Sequence, residues 1–240
     1  MSDQNVADRI TTICSRYDIV FIMETRDSTG SALNDLWTRL NKTDDWGLVQ
    51  SAPIGRTSYK EQYVYFYRTE KAKLTSSYQS PDPKDIYERE PFSVEFQYWS
   101  VSHGEQRQVA LLGLHAKPDD VPNELGKLPE VIKSVGGQFN SSDGVIALGD
   151  FNADCRYLST QEMQTLDIFQ SGSGFTSLIP SSADTTVSTH TDCAYDRVVV
   201  YGAQLNVQSA QVYDYRAAMN LDFYDAYDVS DHYPVEFELY

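Results

Sequence analysis

Apolar residues recur along this chain with two different periods. Near the start, Val6, Ile10, Ile13 and Tyr17 fall at helical spacing, and the continuous run DIVFIME that follows reads as a short buried strand. Leu33, Leu36, Trp37 and Leu40 repeat the helical pattern. Then the period changes. QYVYFYR alternates, and FSVEFQYWSV and RQVALLGLH are β-rich runs, divided by turn-forming clusters at 53–55, 81–83 and 103–104. The stretch 121–139 reads as partly helical ahead of the strand GVIALGD, and the last third offers DRVVVYG, NVQSAQVY and YPVEFELY as strands. Many strands and few helices make an α+β chain. One sheet of so many strands would leave long faces uncovered, so two β-sheets packed as a sandwich with helices outside is the expected arrangement. The first helical pattern also puts Cys14 on or beside a buried face.

No linker, low-complexity tract or repeat divides the 240 residues, which read as a single domain spanning 1–240. With 41% hydrophobic and 12% aromatic residues the chain can build a substantial core, and no apolar stretch reaches the length that crosses a bilayer, so no membrane association is expected. Thirty-five acidic against 19 basic residues leave a formal charge of -16, which argues against indiscriminate binding of polyanions. A local arginine cluster or a bound divalent cation could still grip phosphate. The chain opens MSDQNVADRI, without a basic-then-apolar leader. Cys14, Cys155 and Cys193 allow at most one internal disulfide. N-x-S/T triplets stand at Asn41 and Asn140; they would be acceptors in a secreted glycoprotein, and taken alone such triplets more often arise by chance.

Chemistry collects at the strand ends. VFIMETR reaches Glu24, LLGLHA reaches His115, IALGDFN reaches Asp150 and Asn152, AYDRVVV opens on Asp196, and SDHYP carries Asp231 and His232 before the last strand. Each has a bland alternative: strand-end turns favour Asp and Asn, and a half-buried histidine is commonly just a satisfied one. If these ends share one rim, however, their carboxylates repel one another and a divalent cation is the natural stabiliser, with oxygen donors favouring Mg²⁺, Mn²⁺ or Ca²⁺ over zinc.

METRDS, PIGRTSYKEQYVYFYR, EREPFSVEF, LGDFNADC, DCAYDRVVV and SDHYPVE occur in an order that resembles the deoxyribonuclease I family of the endonuclease/exonuclease/phosphatase superfamily, over the whole chain. The resemblance implies two mixed β-sheets packed as a sandwich with flanking helices, and a divalent-metal-dependent endonuclease that hydrolyses double-stranded DNA to 5'-phosphate products. It implies two carboxylate–imidazole pairs, Glu61 with His115 and Asp196 with His232. Glu24 would be the principal ligand of Mg²⁺ or Mn²⁺, with Asp150, Asn152 and Asp231 serving the metal or the scissile phosphate. Arg26, Tyr59, Arg89 and Tyr157 match positions that touch DNA, and Cys155 with Cys193 match a disulfide. Structural Ca²⁺ would sit at Asp184 and Thr186, and at Asp82, Asp85 and Glu90. Secretion and a monomeric state are the corresponding expectations.

Two departures qualify the resemblance. The family's first interior strand, which carries an active-site asparagine, has no counterpart; its loss is expected to leave two neighbouring strands with unpaired edges, to lower stability and to weaken or abolish cleavage. A catalytically silent DNA- or protein-binding homologue is the alternative. In WGLVQSA, Gln50 and Ala52 replace an apolar residue and an acid used for actin binding, which argues against that partner.

Overall fold

The computed structural model describes residues 3–140 and 142–240. The sequon at Asn140 therefore includes a position, 141, outside the described residues. Three antiparallel strands, β1 (Ile19–Thr25), β2 (Trp46–Gln50) and β3 (Gln62–Arg68), form one sheet in the order β1-β3-β2. A six-stranded mixed sheet contains β4 (Ala72–Gln79), β5 (Phe92–Ser100), β6 (Glu105–Gly113), β7 (Val145–Asp150), β8 (Phe175–Ser177) and β9 (Asp196–Tyr201), in the order β4-β5-β6-β7-β9-β8. Only β6 and β7 run parallel, and the long helix α3 (Val121–Gln138) connects them. The last two strands, β10 (Val207–Val212) and β11 (Val235–Leu239), form a two-stranded antiparallel sheet.

Alternation decides the layers. In β3, Tyr63 and Tyr65 point into the core shared with Phe92, Val94 and Phe96 of β5, Val109 and Leu111 of β6 and Val198 of β9. Val64 and Phe66 point the other way, onto Leu33, Leu36 and Leu40 of α2 (Ser31–Leu40) and onto Cys14 of α1 (Gln4–Cys14). On the far face of the six-stranded sheet, Ala110, Leu112, Val145 and Ala147 meet Leu125, Leu128, Ile132 and Val135 of α3. Asp3 caps α1 by accepting the Asn5 and Val6 amides, and Arg39 ties α2 to α1 through Asp8.

The expected sandwich is present, with its second layer in two pieces. Ile19, Phe21 and Met23 of β1 and Val235, Phe237 and Leu239 of β11 lean on the same core, yet among the described residues β1 pairs only with β3 and β11 only with β10. The Tyr17 hydroxyl, donating to Glu236 at 2.8 Å, links the two pieces by side chain rather than by ladder. This explains why DIVFIME, read as a buried strand, is only half-buried along its length. The hydropathy pattern does not mark β4 or β8, nor the short helices α4 (Thr160–Met163), α5 (Tyr215–Ala218) and α6 (Phe223–Tyr227).

Candidate active site

The rim is built where chain direction and register put polar residues at the ends of apolar strands. Asp150 closes β7 and pairs across the ladder with Asp196, which opens β9. His115 follows β6, and Glu61 precedes β3 in a bridge with Ile54. His232 bridges Thr186 just ahead of β11. Gly149 must be glycine: its φ is +134°, and a Cβ there would run into the Leu114 carbonyl and the Met23 thioether. β1 slips register between Ile22 and Thr25, and this irregularity holds Glu24 at φ 55°, turned to the mouth with a side chain 56% exposed.

These elements bring the two carboxylate–imidazole pairs together. His115 Nδ1 lies 3.0 Å from Glu61 Oε1, and His232 Nδ1 lies 2.7 Å from Asp196 Oδ2. His115 Nε2 is 3.8 Å from Glu24 Oε1 and 3.7 Å from Asp150 Oδ2. Ligand atoms of Asp150, Asp196 and His232 all fall within 4.8 Å of one another. Asp150 is therefore common ground between the two imidazoles. Asn152, at φ 48°, donates its amide to the Ala116 carbonyl at 2.9 Å and to Asp150 Oδ2 at 3.2 Å, while its backbone N–H reaches Asp150 Oδ1 at 2.7 Å.

The electrostatics follow from that crowding. Burial, then the neighbouring Asp196, push the Asp150 carboxyl up to about 6. Burial works against a charged His232, but the charge and hydrogen bond of Asp196 together with Asp150 outweigh it and hold the imidazolium up to about 10. His115 is raised too, burial being overcome by Glu61 and Asp150. Glu61 is lowered despite burial, because His115 and Arg89 favour its ionised form. The carboxylates of this mouth thus favour the protonated form of both imidazoles.

Arg89 does not reach outward. Its Nε donates to Glu61 Oε2 at 2.7 Å, and its Nη1 is buried without a hydrogen-bond partner. Arg26, by contrast, stacks 4.1 Å over the exposed Tyr59 ring and lies 3.8 Å from Glu24. On the opposite flank Tyr157 packs against Tyr195 at 5.4 Å, and Tyr195 stacks on His232 at 6.0 Å. Asp231 is exposed, with its carbonyl accepting the Val187 amide.

Cys155 and Cys193 form a disulfide that fastens the loop after β7 to the segment before β9. Of the expected calcium ligands, Asp184 and Thr186 stand together, while Asp82, Asp85 and Glu90 are engaged by separate partners. Asp184 accepts the amide and hydroxyl of Thr186 in a local turn. Asp82 accepts the Tyr87 amide, Asp85 is engaged by the Arg56 guanidinium, and Glu90 contributes its carbonyl to Gln79. Among the described residues the one grouping of three acidic, histidine or cysteine ligand atoms is Asp150, Asp196 and His232. Residues that sequence reading passed over are Tyr63, whose hydroxyl accepts the His115 amide at 2.7 Å, Thr185, whose hydroxyl accepts the Asp196 amide, and Tyr195. Tyr195 lies in AYDR and Tyr63 in QYVYFYR, but their contacts to His232 and to the His115 amide, like that of Thr185, need the three-dimensional packing.

Residues 1–232 match the Endonuclease/Exonuclease/phosphatase family. Deoxyribonuclease-1-like 2 of Mus musculus is 40% identical over 242 residues, spanning 98% of this chain and 85% of the relative. Deoxyribonuclease-1 of Bos taurus is 39% identical over 250 residues, spanning all of this chain and 86% of the relative. Among solved structures, an endonuclease/exonuclease/phosphatase family protein from Leptotrichia buccalis superposes with a TM-score of 0.66 at 16% identity, covering 100% of this chain and 95% of that one. A mannosyl-6-phosphatase from Bacteroides thetaiotaomicron gives 0.60 at 16% identity, covering 99% and 90%. At such identity these structures speak to the fold alone.

Proposed function

From a chain that belongs to the endonuclease/exonuclease/phosphatase family, in its deoxyribonuclease I-like branch, we propose a divalent-metal-dependent endonuclease that hydrolyses double-stranded DNA to 5'-phosphate ends. The observation that carries this reading is the meeting of both carboxylate–imidazole pairs around Asp150.

The donor set suits a hard cation: carboxylate oxygens of Glu24, Asp150 and Asp196 crowd one mouth. Glu24 and Asp150, whose oxygens both approach His115 Nε2, would hold Mg²⁺ or Mn²⁺, with Asp231 a further candidate ligand, and the ion would offset the negative charge developing on the scissile phosphate. Glu61 and Asp196 orient their imidazoles, so that one accepts the proton of the attacking water and the other protonates the leaving oxygen. Asn152 is tethered beside Asp150, where its amide can reach the same phosphate. Arg26 with Tyr59, and Tyr157 with Tyr195, flank the mouth as candidate supports for the duplex. Arg89 acts instead as the partner of Glu61.

Among the described residues β1 and β11 each have one unpaired edge, which favours a second element of this reading: cleavage is slow, because the strand bearing Glu24 is held by β3 on one side. The disulfide supports an oxidising, secreted setting. The enzyme acts as a monomer, without actin as a partner. Supercoiled plasmid incubated with Mg²⁺ or Mn²⁺ should convert to nicked circles slowly, with no conversion in EDTA or in His115→Ala and His232→Ala variants. Nicking in EDTA, or undiminished nicking by either variant, overturns the proposal; binding without any cleavage would support the silent homologue.

A further inference from the structure

Glu124 is wholly buried in the first turn of α3 and takes no part in the chemistry described above. An acid at such a position ordinarily serves the free amides of its own helix. Glu124 does otherwise: one oxygen accepts the Glu88 amide at 2.8 Å and the other accepts the Lys117 amide at 3.2 Å. Among the described residues no cation lies within 4.0 Å of its carboxylate, so the cost of burying this charge is not met by an ion pair. The two amides belong to the segments that deliver Arg89 and His115. Every amide of the second segment is spoken for: His115 donates to the Tyr63 hydroxyl, Ala116 to the Asp150 carbonyl and Lys117 to Glu124.

We propose that Glu124 is a positioning residue which clamps the Arg89 segment to the His115 segment and thereby holds Arg89, Glu61 and His115 as one unit. The inference deepens the hydrolytic reading and rests on it only for its kinetic consequence. Arg89 reaches Glu61 at 2.7 Å and Glu61 reaches His115 at 3.0 Å, so a shift of the Arg89 segment is passed to the imidazole through two short contacts. Burial pushes Glu124 up to about 7, with the two amides opposing, which fits a carboxylate retained for its acceptors rather than for charge pairing.

Glu124→Gln tests this, because the amide can accept from one N–H but presents its own N–H groups to the other. The expected results are loss of the Arg89 Nε–H NMR cross-peak, faster hydrogen exchange at the Glu88 and Lys117 amides, and a fall of about tenfold or more in nicking kcat with KM little changed. A Gln variant that keeps that cross-peak and slow exchange, and whose kcat stays within about twofold of the parent, overturns the proposal, whatever its melting temperature. Should Glu124→Gln fail to fold by near-ultraviolet circular dichroism, Glu124→Asp is decisive: it keeps the charge but shortens the reach by one methylene, and the same outcomes apply. If the parent chain nicks no DNA with any divalent cation, the hydrolytic reading falls, while the NMR and exchange measurements still decide the role of Glu124.

Discussion

Asp150 stands between two imidazoles, and what it does to them sets the acid–base behaviour of the whole mouth. His232 is held up to about 10 in the folded chain, against about 6.5 for a free imidazole. A pKa raised on folding stabilises fully below the unfolded value, and the stabilisation is lost as pH rises toward the folded one. The His232→Gln penalty should therefore be larger at pH 6 than at pH 9 in urea titrations run without divalent cations; an equal or opposite penalty would mean the imidazolium is not what satisfies Asp196 and Asp150. Cys14 makes a contrasting case. Burial pushes its thiol up to about 12, so a thiol-specific reagent should leave the native chain unlabelled and react once on unfolding. Its burial was legible from the spacing of Val6, Ile10 and Ile13. The order of Glu61, His115, Asp150, Asn152, Asp196 and His232 was legible as well, through the motifs around them. Beyond the two carboxylate–imidazole pairs, their partners were not: that Arg89 turns inward to Glu61, or that the Tyr63 hydroxyl accepts the His115 amide, depends on contacts 28 and 52 positions apart in the chain, which no local pattern encodes.

At the scale of elements, the strands visible in the sequence are those whose side chains alternate against a core. QYVYFYR, RQVALLGLH and DRVVVYG became β3, β6 and β9, each with inward residues fully buried. β4 was missed because it is an edge strand: Lys73, Thr75, Ser76 and Ser77 face solvent, and its ladder with β5 rather than its own apolar content holds it. β8 is only three residues long, and α5 and α6 are single turns capped by Asp214 and Asp222, too short for a period to show. The β1 irregularity that presents Glu24 is likewise invisible in the run VFIMETR, since it arises from register with β3. The connection from β7 to β9 contains little regular structure and passes Asp196 to the mouth, so it relies on the Cys155–Cys193 bridge across a separation of 38 residues. Replacing both cysteines by serine should cost roughly 3 to 4 kcal/mol in the chain-entropy account, measured as a lower urea midpoint with the denaturant slope little changed.

For the whole molecule, two properties pull against each other: a second layer split between β1 and β11, and a strongly acidic surface. The split means that, among the described residues, the amides and carbonyls on one side of each strand have no ladder partner, although their side chains rest on a common core. Hydrogen exchange should separate the two sets within β1, with amides bonded to β3 protected and those facing β11 exchanging fast; uniform protection would mean the gap is closed in solution. Acidity has the larger bearing on function. With 35 acids against 19 bases, a duplex meets net repulsion at long range, and the arginines near the mouth are few, with Arg26 already beside Glu24 and Arg89 withdrawn. On the proposed reading, a face that takes DNA here would depend on divalent cations for two reasons: they would screen the general repulsion and would neutralise the cluster at Asp150, Asp196 and Glu24. Fluorescence anisotropy of a labelled duplex with the His115→Ala variant should thus show binding that grows with millimolar Mg²⁺ and is negligible in EDTA at the same ionic strength. Tight binding in EDTA, weakening steeply as NaCl is added, would instead assign the affinity to protein cations alone and remove the divalent ion from substrate recognition.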